Sequence, residues 1–116
     1  MKNQPLTQKL KNAAAGIRYA WANEDNIRRH SALAAVTVLV FLWLQPAWIW
    51  WGLIVLCIGL IFASELLNSA VEILIDHMHP DIHPTIGQVK DVLAGMVLIV
   101  SLTALAVGVL AIVDTL

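Results

Sequence analysis

Four polar residues recur in the otherwise apolar run from Ala63 to Asp76: Glu65, Asn68, Glu72 and Asp76. Advancing about 100° per residue, the last three fall within roughly 60° of Glu65, on one helix face about 16 Å long. Leu66, Leu67, Ile73 and Leu74 take the opposite face. Carboxylates at membrane depth are expensive and normally face a bundle interior or a wet cavity. Three acids and an amide could seat Mg²⁺, which takes one or two carboxylates plus phosphate oxygens. Phosphoryl transfer asks a protein mainly for positioning and charge neutralisation. A buried carboxylate can also take the proton of an alcohol. Lys90-Asp91 adds a point charge suited to phosphate, and Glu24 a further acid. The same acids could instead conduct protons or ions in a small oligomeric transporter or channel. Equally, they could pair with Lys90, Arg28 or Arg29 as structural contacts. Residue types alone leave all three readings open.

The elements that must position these groups are membrane spans. Hydrophobic residues form 59% and charged residues 13% of only 116 positions. A soluble domain of this size cannot hide so much apolar surface. Residues 1–116 therefore read as one all-α membrane domain: an amphipathic surface helix and three transmembrane helices. The surface helix, 5–22, carries Leu6, Leu10, Ala13, Ala14, Ile17, Ala20 and Trp21 on one stripe, as a helix lying in the headgroup plane does. Spans are expected over about 27–44, 47–77 and 90–113. Gln45-Pro46 separates the first two, and a loop over 77–89 containing Pro80, Pro84 and Gly87 separates the last two. Trp43, Trp48, Trp50 and Trp51 around the first break suggest an interfacial aromatic belt.

Six of the seven basic residues lie in the first 29 positions, so the N-terminus is expected to be cytoplasmic. The 77–89 loop and the acid-rich end of the second span then face the cytoplasm and its ATP. No signal peptide is expected, because the first thirty residues are polar. Cys57 reads as a small packing residue. Three spans cannot easily enclose so many acids alone, which favours an oligomer.

Residues 65–76, Glu-Leu-Leu-Asn-Ser-Ala-Val-Glu-Ile-Leu-Ile-Asp, resemble the signature of the prokaryotic diacylglycerol kinase family, Glu-x-x-Asn-[Ser/Thr]-Ala-x-Glu-x-x-x-Asp, at all its fixed positions. Trp21 to Arg28 resembles the family's acid-and-arginine entry to the first span, and Lys90-Asp91 its third-span opening. The resemblance covers about residues 12–112. It implies a homotrimeric kinase of the bacterial inner membrane, with active sites at protomer interfaces on the cytoplasmic side. ATP would be co-substrate with Mg²⁺ or another divalent metal, and the acceptor a lipid alcohol. No nucleic-acid partner is expected.

Carried over by position, Glu65 would be the catalytic base, and Glu24 and Glu72 would hold the metal. Glu24, Asn68, Glu72, Asp76, Asp81, His83, Lys90 and Asp91 would bind ATP. Asn26, Arg28 and Arg29, with Glu65, would meet the lipid, in a region running to His30. The first dozen residues match no family pattern. Arg29-His30, His83-Pro84 and the run 90–98 look closer to the branch acting on undecaprenol than to the diacylglycerol branch.

Two tempting readings are set aside. His77, His79 and His83 with Asp81 have metal-ligand types, but prolines intervene, and headgroup or nucleotide contact is favoured. Gly87-Gln-Val-Lys90 is too short for a phosphate-binding glycine loop. Ala94, Gly95, Ala104 and Gly108 suggest close helix packing.

Overall fold

The computed structural model describes residues 3–78 and 84–116. Four helices follow one another: α1 (Leu6–Asn23), α2 (Asp25–Leu44), α3 (Trp48–Met78) and α4 (Pro84–Thr115). The last three are long and apolar enough to cross a bilayer. Each boundary has a local cause. Pro5 precedes α1, its carbonyl accepting from the amides of Gln8 and Lys9 at 3.1 Å. Glu24 is extended (φ −117°, ψ 110°) and serves α1 as C-cap and α2 as N-cap. Gln45 ends α2 in the left-handed region (φ 52°), its amide donating to the Phe41 carbonyl at 2.8 Å, and Pro46 follows. The third span differs from the expectation, for α4 starts at Pro84 rather than near Lys90. Proline suits a first helical position because its missing N–H would have no intrahelical partner there. The second half of the expected loop is therefore helix.

α3 is the spine. It packs along α4 most extensively and also on α2, while α2 and α4 meet each other over less of their length. α1 touches α2 and α3. Cross-helix contacts set the directions: His30 meets Glu65 and Lys90 meets Asp76 at one end, and Trp50 meets Asp114 at the other. The spans thus run up, down and up.

The tightest packing lies at the Trp50–Asp114 end. Phe41, Ile54 and Ala111 are buried together, with Trp50 and Trp51 against them. Phe41 and Trp51 stack edge to face at 5.4 Å, and the Trp50 indole N–H donates to Asp114 Oδ2 at 2.9 Å. The expected tryptophan belt is therefore divided. Trp43 and Trp48 are 79% and 88% exposed, as interface anchors are, whereas Trp50 and Trp51 face inward. The small residues of α4 also differ from expectation: a Cβ built on Gly95 or Gly108 meets nothing within 4 Å, so neither permits close packing inside this chain.

Cys57 is buried, as a packing residue should be. Leu39, Val92 and Leu105 are more than half exposed, so the spans turn apolar surface outward. Along α1, Leu6, Leu10, Ile17 and Trp21 are exposed too, leaving its apolar stripe open.

Trp50→Phe removes the indole donor but keeps the packing. It should lower stability in detergent micelles by about 1 kcal/mol, the scale of one such bond. Asp114→Asn in the Trp50→Phe background should add little, and a thermal unfolding series of the single and double variants checks this.

Candidate active site

The acidic stripe grades from inside to outside along α3. Glu65 is 2% exposed, Asn68 and Glu72 are half-buried, and Asp76 is exposed. Helical spacing carries each next group closer to the helix end. The apolar face opposite behaves as expected, with Leu67, Ile73 and Leu74 exposed.

Glu65 is enclosed by the single chain. Its Oε1 lies 2.7 Å from Nδ1 of His30 on α2, the side chains being 3% and 21% exposed. Both atoms are buried, and their approach falls outside the geometry of an aligned hydrogen bond; neither has another hydrogen-bond partner among the described residues. A ring nitrogen that carries its proton can donate to a carboxylate oxygen at that separation once the two are aligned. Sequence reasoning reached His30 as the end of a lipid-contacting region and as a mark of the undecaprenol branch, not as a partner of Glu65. The pairing joins positions 35 apart in the chain, which no helical periodicity reveals. Ser69 is a second omission. It is buried, and at four residues from Glu65 it lies on the same helix face, so the angular count could have found it.

At the helix ends, Lys90 Nζ on α4 bonds Asp76 Oδ1 on α3 at 3.1 Å, bringing together two residues expected at the nucleotide. Asp91 is exposed beside Lys90. Across the bundle Glu24 is half-buried at the α1–α2 junction. Arg28 is spent locally, donating to the Trp21 carbonyl and to Asp25, which fastens α1 to the start of α2. Arg29 and Asn26 bond each other at 3.2 Å on an exposed face. Asp81 and His83 lie outside the described residues, as does His79.

Among the described residues, the side chains of Glu24, Asn68, Glu72 and Asp91 hold no hydrogen-bond or ion-pair partner. No three His, Cys, Asp or Glu side chains converge there on a point that could hold a metal. The chain thus offers single carboxylates rather than a closed cage. That donor set fits a Mg²⁺ whose remaining ligands are phosphate oxygens and water.

Between α2, α3 and α4 runs a cleft of about 360 Å³, lined from His30 at the acidic end to Phe41, Ile54 and Ile112. It exists because α2 and α4 both lean on α3 and meet each other less. Only His30, Thr37 and Ser101 interrupt its apolar wall, and the Thr37 hydroxyl is taken up by the Leu33 carbonyl at 2.8 Å.

One end of the bundle thus gathers a buried acid–imidazole pair, half-buried unpaired acids, a lysine and the head of an apolar cleft. Comparison with known proteins identifies the family. The profile described as prokaryotic diacylglycerol kinase matches residues 11–112. The diacylglycerol kinase of Escherichia coli K12 is 32% identical over 89 residues, 77% of this chain and 73% of that protein. The undecaprenol kinase of Bacillus subtilis 168 is 32% identical over 98 residues, 84% of this chain and 80% of that protein. The diacylglycerol kinase of Haemophilus influenzae Rd is 31% identical over 86 residues, 74% and 73% of the two chains. With most of its length matched, its spans in place and its acidic stripe on the second span, the chain belongs to the prokaryotic diacylglycerol kinase family of membrane lipid kinases.

Proposed function

We propose that this chain phosphorylates the hydroxyl of a membrane lipid, diacylglycerol or undecaprenol, at the cytoplasmic face of the bacterial inner membrane. The observation that carries the reading is the gathering of Glu65, Glu72, Asp76 and Lys90 at one bundle end, with Glu65 buried, Glu72 and Lys90 half-buried and Asp76 exposed. A water-soluble donor and a lipid-soluble acceptor can meet only at such a boundary. Family membership supports reading these acids as serving phosphoryl transfer from ATP rather than conduction.

In this reading residues 1–116 form one catalytic domain, with the basic N-terminus cytoplasmic. Glu24 and Glu72 hold the divalent metal that accompanies ATP. That metal, when bound, neutralises phosphate charge and orients the transferred group. Asn68 and Asp91 orient the nucleotide, and Asp81 and His83 add to it. Lys90 exchanges its contact with Asp76 for a phosphate oxygen. The lipid keeps its chains in the bilayer and approaches past Asn26, Arg28 and Arg29. Glu65 accepts the hydroxyl proton as the oxygen attacks the γ-phosphorus; the bond from that phosphorus to the β-phosphate oxygen breaks, its electron pair leaving on ADP. Holding donor and acceptor in line supplies much of the acceleration. A homotrimer accounts for the outward apolar surface and for acids left half-open in one chain.

Purified protein with Mg²⁺ and labelled ATP should transfer phosphate to diacylglycerol or undecaprenol in mixed micelles. Supplying both lipids together ranks them, and absence of transfer to any lipid alcohol overturns the reading. Glu65→Gln should lower kcat about 100-fold or more, while Glu72→Ala should chiefly raise KM for Mg·ATP. Chelation of divalent metal should abolish turnover and re-addition restore it. Lys90→Met should raise KM for ATP about tenfold, the scale of one charge-assisted contact, and leave KM for the lipid unchanged.

A further inference from the structure

The base and the cleft do not touch. Glu65 is absent from the wall of the apolar cleft, whereas His30 forms the wall at its acidic end. His30 therefore borders both the cleft and the carboxylate. Its Nδ1 faces Glu65 Oε1 at 2.7 Å. Nδ1 and Nε2 are separate positions of one ring, and a proton held on Nδ1 by a carboxylate leaves Nε2 bare as an acceptor. The carboxylate side chain, 3% exposed, has little surface of its own to offer a hydroxyl, while the imidazole is 21% exposed.

We propose that His30 is a catalytic residue that passes the proton of the lipid hydroxyl to Glu65, with the apolar cleft receiving the lipid's hydrocarbon chain. The proposal rests on the kinase reading and refines its proton path. The cleft follows α2 from His30 to Phe41, about 16 Å at 1.5 Å per residue, between walls such as Leu33, Ile58 and Leu105. A chain lying there brings the hydroxyl at its head to His30. Transfer then balances in two linked steps. The hydroxyl O–H bond breaks as Nε2–H forms, and Nδ1–H breaks as Glu65 Oε1–H forms. The alcohol oxygen keeps the electron pair with which it bonds the γ-phosphorus, and the pair of the broken phosphorus–oxygen bond leaves on ADP. Afterwards Glu65 returns its proton to Nδ1 as Nε2 releases one to solvent, which restores the starting tautomer and the carboxylate. Nδ1 and Oε1 are close but poorly aligned, as catalytic contacts commonly are before substrate arrives.

The test uses the full chain in mixed micelles, with diacylglycerol and undecaprenol as the two probes. His30→Gln keeps a donor for Glu65 but has no basic nitrogen. Its kcat should fall about 100-fold or more, the contribution of a positioned proton acceptor, with KM for Mg·ATP within about twofold. Added imidazole should return part of the rate to His30→Ala, whose side chain leaves room for it. If wild type is active and His30→Gln turns over at a similar rate, the imidazole serves only as a hydrogen-bond donor and the relay is overturned. Inactivity of the wild type itself on both lipids would instead remove the kinase reading. A second measurement needs no altered His30: with His77, His79 and His83 replaced by glutamine, ¹⁵N-histidine spectra report one ring. A protonated Nδ1 beside a bare Nε2 supports the relay, and the opposite tautomer overturns it.

Discussion

The fold is organised around one expensive group, the carboxylate of Glu65. Burying an isolated charge in a low-dielectric interior costs several kcal/mol or more, so a carboxyl residue only 2% exposed needs a partner. That partner is on another helix. His30 stands one-third of the way along α2, and its contact with Glu65 ties the register of α2 against α3. A one-turn slip of about 5.4 Å would strand both atoms. At the opposite end the Trp50–Asp114 bond does the equivalent for α3 and α4, and the edge-to-face pair of Phe41 and Trp51 seals α2 to α3.

These few contacts matter because so little else discriminates among arrangements. In lipid, apolar helices gain no hydrophobic advantage from touching one another. The buried apolar residues are few, and large side chains such as Leu39 and Val92 face outward. Polar contacts and close packing at the two bundle ends therefore specify the arrangement, while the middle stays loose enough to leave a cleft. In the proposed reading that looseness has a use, because the acceptor shares the bilayer with the enzyme. A hydrocarbon chain can replace the lipid that would otherwise fill the same space.

Much of the site was legible because helical periodicity is a property of one segment. The stripe Glu65, Asn68, Glu72, Asp76 follows from spacing alone, and the structure adds its gradation in burial. The breaks at Gln45-Pro46 and the tops of α2 and α3 followed from residue types as well. The start of α4 did not, because Pro84 can end one element or begin the next, and chain direction alone does not say which. Arg28 illustrates another limit: its expected lipid contact came from the resemblance, and no spacing reveals that it also bonds the Trp21 carbonyl and Asp25 at the α1–α2 junction.

By itself the sequence determined that the chain is helical and spans a membrane, that its acids share a helix face, and that it resembles the prokaryotic diacylglycerol kinases. Each of these depends on composition, local periodicity or a short contiguous motif. Only tertiary structure decided that His30 is the neighbour of Glu65, that Asp76 meets Lys90, and that a cleft ends at the imidazole. Those facts depend on the rotation and depth at which separate helices pack, and these are set by the summed fit of side chains from different segments.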